Sequence, residues 1–171
     1  MVWLGLFVIL PGVALAQETA TSWAHGADGD LTLAVVVTDN ADYEKLWYST
    51  PRETAPRFST VEKISLGQTA FAVALFSGAV AKDGEFQAVC EATIKKPNGE
   101  LVEIPPKPCF DKPAKGPLTD LRLVAFSLAI KAEAHDPSGL WHVEYRIHDP
   151  ITAASCKVEV SVQVDAQGKK T

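Results

Sequence analysis

The chain has 171 residues, with 16 basic and 21 acidic side chains and a formal net charge of −5 at neutral pH. Its Lys and Arg residues are interleaved with acids and form no basic stripe, which argues against nucleic acid as a partner. The length suits one domain with a true core and is too short for two comfortable ones.

Residues 1–16 form an apolar run that ends in Ala14-x-Ala16, just before Gln17-Glu18. That is the pattern of a secretory signal peptide, although no Lys or Arg precedes the apolar core. The run is short for a membrane span, and no Cys follows the small residues to accept a lipid. No later apolar run approaches spanning length, so the processed chain of about 155 residues is expected to be secreted or periplasmic, without a membrane span.

Residues 17–30 are small and polar and read as a mobile start to the mature chain. Residues 31–38 are rich in β-branched side chains, and one strand is expected there within an N-terminal segment spanning 17–57. Trp47 and Tyr48 sit beside a Pro-containing loop in the segment 43–56. Such a pair either covers one end of the core or offers a large, low-entropy contact surface to a partner or a sugar ring.

From Phe58 the spacing becomes regular, and residues 58–165 are expected to form the core of the fold. Seven strands are predicted, at 58–64, 69–77, 86–96, 100–104, 121–131, 140–148 and 156–164, separated by turn signals. In 140–148, Trp141, Val143, Tyr145 and Ile147 share one face, while His142, Glu144, Arg146 and His148 share the other. In 156–164 the pattern recurs with Val158, Val160, Val162 and Val164 inward. Such alternation is incompatible with a helix, whose 3.6-residue period would scatter those side chains. In 69–77, Phe71, Val73 and Leu75 oppose Ala72, Ala74 and Phe76, and the small Ala side chains would let another layer approach closely. Asp83-Gly84, Pro97-Asn98-Gly99 and Asp136-Pro137-Ser138-Gly139 supply turns. The proline-rich run 105–117 cannot enter a sheet interior, because proline removes a ladder donor. A long loop of this kind is either functional or tethered. Residues 166–171 read as a flexible tail.

Three cysteines in an oxidising compartment allow one internal bridge and one leftover thiol. Folding the chain about Asn98-Gly99 places position 90 opposite about 107, one step from Cys109, which favours a Cys90–Cys109 bridge. It would tether the proline-rich loop, Phe110 included. The competing pairing, Cys90 with Cys156, would join two core strands as in antibody-type domains. Cys156 shares the inward parity of Val158 and suits a small buried hydrophobe.

The predicted class is all-β, an antiparallel sandwich of about seven to nine strands. The spacing of strands and turns resembles immunoglobulin-like and fibronectin type III-like sandwiches of secreted bacterial-type proteins. In particular, Asp136-Pro137-Ser138-Gly139-Leu140-Trp141 resembles the Asp-x-Gly-x-Tyr corner of such domains, with Trp141 where Tyr is usual. The resemblance is architectural and implies no single activity.

No nucleophile elbow, phosphate loop, dinucleotide fingerprint or paired-histidine zinc motif is present, and no catalytic residue or cofactor is expected. Histidines cluster near acids at His135-Asp136, His142-x-Glu144 and His148-Asp149. Positions 142 and 148 lie about 20 Å apart along one strand and cannot share an ion. His142 and Glu144, about 7 Å apart, remain a metal candidate that needs a third ligand from a neighbouring strand. The expected function is therefore non-enzymatic: a module that binds another envelope or extracellular protein, with Trp47, Tyr48 and Phe110 as contact candidates. The alternative is binding of a small ligand, a sugar or a metal.

Overall fold

A computed structural model describes residues 18–51, 54, 56–113 and 115–167. The apolar leader and its Ala14-x-Ala16 site lie outside the described residues, as does the end of the tail. The described chain forms twelve strands and one short helix. In order they are β1 (Trp23–Asp28), β2 (Leu31–Thr38), α1 (Tyr43–Ser49), β3 (Lys63–Ser65), β4 (Thr69–Ser77), β5 (Ala81–Lys82), β6 (Glu85–Phe86), β7 (Val89–Lys95), β8 (Leu101–Pro108), β9 (Arg122–Leu123), β10 (Leu128–Lys131), β11 (Gly139–His148) and β12 (Ser155–Asp165).

One sheet runs β1-β2-β4-β10, with β9 also beside β4; the other runs β3-β12-β11-β7-β8. They pack as an all-β sandwich and do not close into a barrel. Every pairing is antiparallel except that of β3 with β12. The alternating runs behave as their periodicity requires. Trp141, Val143, Tyr145 and Ile147 are buried, as are Val158, Val160, Val162 and Val164. Val143 sits opposite Val160, and Tyr145 opposite Ala92 and Val158. Asp83 and Gly84 both take left-handed backbone angles in the tight β5-β6 turn, the conformation that such hairpins select.

The alternation in β4 explains the depth of the fold. Ala70, Ala72, Ala74 and Phe76 face the main core, where the small side chains allow Tyr145 of the opposite sheet to reach the Ala72 carbonyl at 3.0 Å. Phe71, Val73 and Leu75 point the other way and join Val36, Leu123, Tyr43, Trp47 and Phe58 in a second apolar layer on the outside of the sheet.

Five expectations need correction. First, residues 23–28 are no mobile tail: they form β1, paired with β2, which takes the expected place at 31–38 and lies next to central β4. Gly26 permits β1 to cross β12, since a Cβ there would lie 3.0 Å from Cys156 Sγ. Second, the strand expected at 58–64 shrinks to β3, because Phe58 leaves the ladder to stack on Trp47. Third, 121–131 breaks into β9 and β10. Between them Ala125 N–H donates to the carbonyl of Cys109 rather than to a ladder partner. Fourth, β8 continues through Pro105, Pro106 and Pro108. It can do so because it is an exposed edge strand, with a bulge opposite Glu91 where the pairing shifts between Cys90 and Ala92. Fifth, at the far end, Asp165 belongs to β12 and Ala166 is buried, so the described part of the tail is tied down.

Cys90 is bonded to Cys109, and Cys156 is a buried free thiol. The register places Cys90 opposite Lys107, the expected position, although the hairpin is centred on Asn98 and the bulge between Cys90 and Ala92 supplies the final one-residue shift. Among the described residues no helix is long and apolar enough to cross a membrane.

Candidate interaction site

Helix α1 is too short to be stable alone, and packing holds it. Tyr43 is buried against Phe71, with ring centroids 5.6 Å apart, and its hydroxyl lies 2.6 Å from Ser127 Oγ. One turn later Trp47 stacks on Phe58 at 6.4 Å. This face caps the outer apolar layer of the first sheet. The neighbouring Tyr48 projects outward and is 58% exposed.

The proline-rich loop approaches α1 from the other side. Cys109 is held between the sheets: its N–H donates to Ala88 and its carbonyl accepts from Ala125. Phe110 then sets its ring edge against Phe76 and Phe86, so it is in part a core residue rather than a free contact. The loop beyond it closes around Arg122. Its guanidinium lies 4.5 Å from the Phe86 ring centre and donates to the carbonyls of Lys115, Pro117, Leu118 and Asp120. A buried charge needs such a full set of acceptors. Finally, Lys112 reaches back to α1. Its ammonium donates to the Tyr48 hydroxyl at 2.8 Å and sits 4.2 Å from the ring centre. The hydrogen bond to Tyr48 raises the Lys112 pKa above its ordinary value.

Between α1 and this loop lies a groove of about 690 Å³, lined among others by Trp47, Tyr48, Phe110, Lys112 and Leu121. All three contact candidates from the sequence line it, although Phe110 lies more than sixty positions from Trp47 and Tyr48 in the chain. No protein family model and no curated protein matches the chain. The groove's chemistry must therefore speak for itself: aromatic planes, proline rings and a few charges, with no nucleophile and base brought together among the described residues.

The metal candidate fares differently. His142 Nδ1 lies 2.9 Å from Glu159 Oε1, and its Nε2 lies 3.9 Å from Glu18. Glu144 turns instead to Arg146 and Lys157, each at 3.1 Å. Among the described residues, no group of three or more His, Cys, Asp or Glu side chains is placed to hold a metal ion. This outer face of the second sheet is a lattice of ion pairs, extended by Arg146 to Glu91 at 2.8 Å. A shallow cleft of about 530 Å³ on it is lined by Glu91, Glu103, Glu144 and Arg146, with Pro105 and Pro106 at its rim.

Asp149 shows how a turn signal acquires a second task. Its carboxylate accepts from Ile151 N–H within the turn and from Val80 N–H across the fold, which accounts for an Asp that is fully buried. Arg122 is the residue that sequence reasoning missed. Its one signal was a cation set between Leu121 and Leu123 in an apolar run.

Proposed function

We propose that this chain is a non-enzymatic, exported β-sandwich that binds another envelope or extracellular protein through the groove between α1 and the proline-rich loop. The observation that carries the reading is the convergence of Trp47, Tyr48 and Phe110 on one concavity, with Tyr48 largely exposed. Large aromatics beside a fixed wall are what protein contacts use as anchors. The wall is fixed because Arg122 and the Cys90–Cys109 bridge hold the loop. The disulfide and the apolar leader both support an oxidising location.

The fold is further proposed to be immunoglobulin-like. Trp141 Nε1 donates to the Pro137 carbonyl at 3.0 Å, in the manner of the tyrosine corner, and Lys96 caps the ring 4.9 Å from its centre.

The test is a pull-down from the native envelope or culture fluid with gentle cross-linking. A partner captured by the parent chain should be lost with Tyr48→Ser and retained with Glu144→Gln. A partner lost with Glu144→Gln alone, or no partner, counts against the groove. Export is checked by the N-terminal sequence of the processed protein, expected to begin at Gln17.

A further inference from the structure

We infer that the groove accepts an extended, acidic, proline-containing segment of the partner, an inference that rests on the groove being the partner-binding face. Three features of the site select this chemistry.

The first is charge. In a chain of net charge −5, the groove is lined by Lys112, Lys115 and Arg122 against Asp120. Arg122 spends donors on the loop carbonyls and lies next to Asp120, so the excess positive charge rests on the two lysines. That excess of basic over acidic lining residues favours an anionic occupant.

The second is the lack of a backbone ladder to extend. Pro51, Pro56 and Pro113 line the groove and have no N–H, and four loop carbonyls are already engaged by Arg122. Strand addition needs rows of open N–H and C=O groups. Polyproline-type segments do not: they dock on aromatic planes and bring a preformed backbone of low entropy.

The third concerns sugars. A saccharide is held by a fan of directional hydrogen bonds, yet three of the four hydroxyls that line the groove among the described residues are already engaged. Thr50 Oγ1 donates to Leu46, Thr54 Oγ1 donates to Pro51, and the Tyr48 hydroxyl accepts from Lys112. Planes and point charges are what the groove presents.

The test is a titration by fluorescence anisotropy with labelled peptide probes of Glu-Pro-Pro repeats, alongside Gln-Pro-Pro and Lys-Pro-Pro analogues and an oligogalacturonate as the anionic sugar. The acidic peptide should bind at least about tenfold more tightly than the neutral one. Its affinity should fall as salt rises from about 0.05 to about 0.5 M. The double variant Lys112→Gln/Lys115→Gln and the single variant Tyr48→Ser should each weaken it by about tenfold, with circular dichroism unchanged. Equal binding of acidic and neutral peptides, preference for the basic one, or binding of the sugar without the peptide overturns the inference. If Tyr48→Ser abolishes partner capture while no acidic peptide binds, the chemistry assigned here is wrong and the groove reading stands. If Tyr48→Ser changes neither, both fall.

Discussion

The hydroxyl of Tyr145, in the middle of β11, donates to the carbonyl of Ala72, in the middle of β4, and so joins the two sheets through the centre of the core. Burial pushes the Tyr145 pKa far above the ordinary phenol value, so this donor keeps its proton at any accessible pH. Tyr145→Phe preserves the packing and removes only the hydroxyl, with its bond to Ala72 and its contact with the Leu128 backbone. Urea unfolding should show a loss of about 1–2 kcal/mol. An unchanged midpoint would mean the bond contributes nothing.

Arg122 holds the proline-rich loop by four carbonyls at once. Arg122→Ala should cost about 2–4 kcal/mol, since four loop carbonyls lose their charged donor and the Phe86 ring loses its cap. Arg122→Lys should rescue little, because one ammonium cannot fork to four acceptors. Amide hydrogen exchange should accelerate first at residues 115–121 and leave β11 and β12 protected. Uniform acceleration would show that Arg122 stabilises the whole domain rather than the loop.

The Cys90–Cys109 bridge spans a sequence separation of 19. Replacing both cysteines by Ala should lower stability by about 3 kcal/mol through the freed unfolded chain. Cys156 is buried and burial raises its thiol pKa, so little of it is thiolate. A thiol reagent should find no reactive group in the native protein and one after unfolding without reductant. Rapid native labelling would contradict the placement of Cys156 under Gly26.

Lys96 links the Trp141 corner to the β7-β8 turn, bridging Asp136 at 3.2 Å and Glu100 at 2.9 Å. The hydrogen bond to Glu100 leads in raising its pKa, against the cost of burial. Burial alone would raise the Asp136 pKa, but the Glu133 N–H and the Lys96 ammonium outweigh it and hold that carboxyl below its ordinary value. A depressed carboxyl contributes stability above about pH 4 that is lost as pH falls through its folded value. A raised ammonium contributes below about pH 10 and loses that contribution as pH rises further. The pair should therefore stabilise across neutral pH. Asp136→Asn should lower the melting temperature at pH 7 and flatten its decline in acid. A parallel shift at every pH would show that the charge is not what matters.

Legibility in the sequence followed the physics of each element. Strands with one wet face, such as β11 and β12, were readable to within a residue because alternation has one structural meaning. The Cys90–Cys109 bridge was readable from turn geometry. Strand β1 was not, since Trp23–Asp28 is polar and lies at a sheet edge, where no buried face imposes a pattern. Nor was the break at Ala125, which depends on a carbonyl sixteen positions away. The groove was half legible: Trp47, Tyr48 and Phe110 stood out by type, but their convergence depends on Arg122 folding the loop.

The most direct test of the groove as the contact face places a photo-crosslinking residue at position 48 in one variant and at position 93, in the cleft of the second sheet, in another. Each protein is then irradiated in its native cell. Position 48 should give a discrete cross-linked partner and position 93 none. A partner from position 93 with none from position 48 would put the interaction on the opposite face and contradict the account.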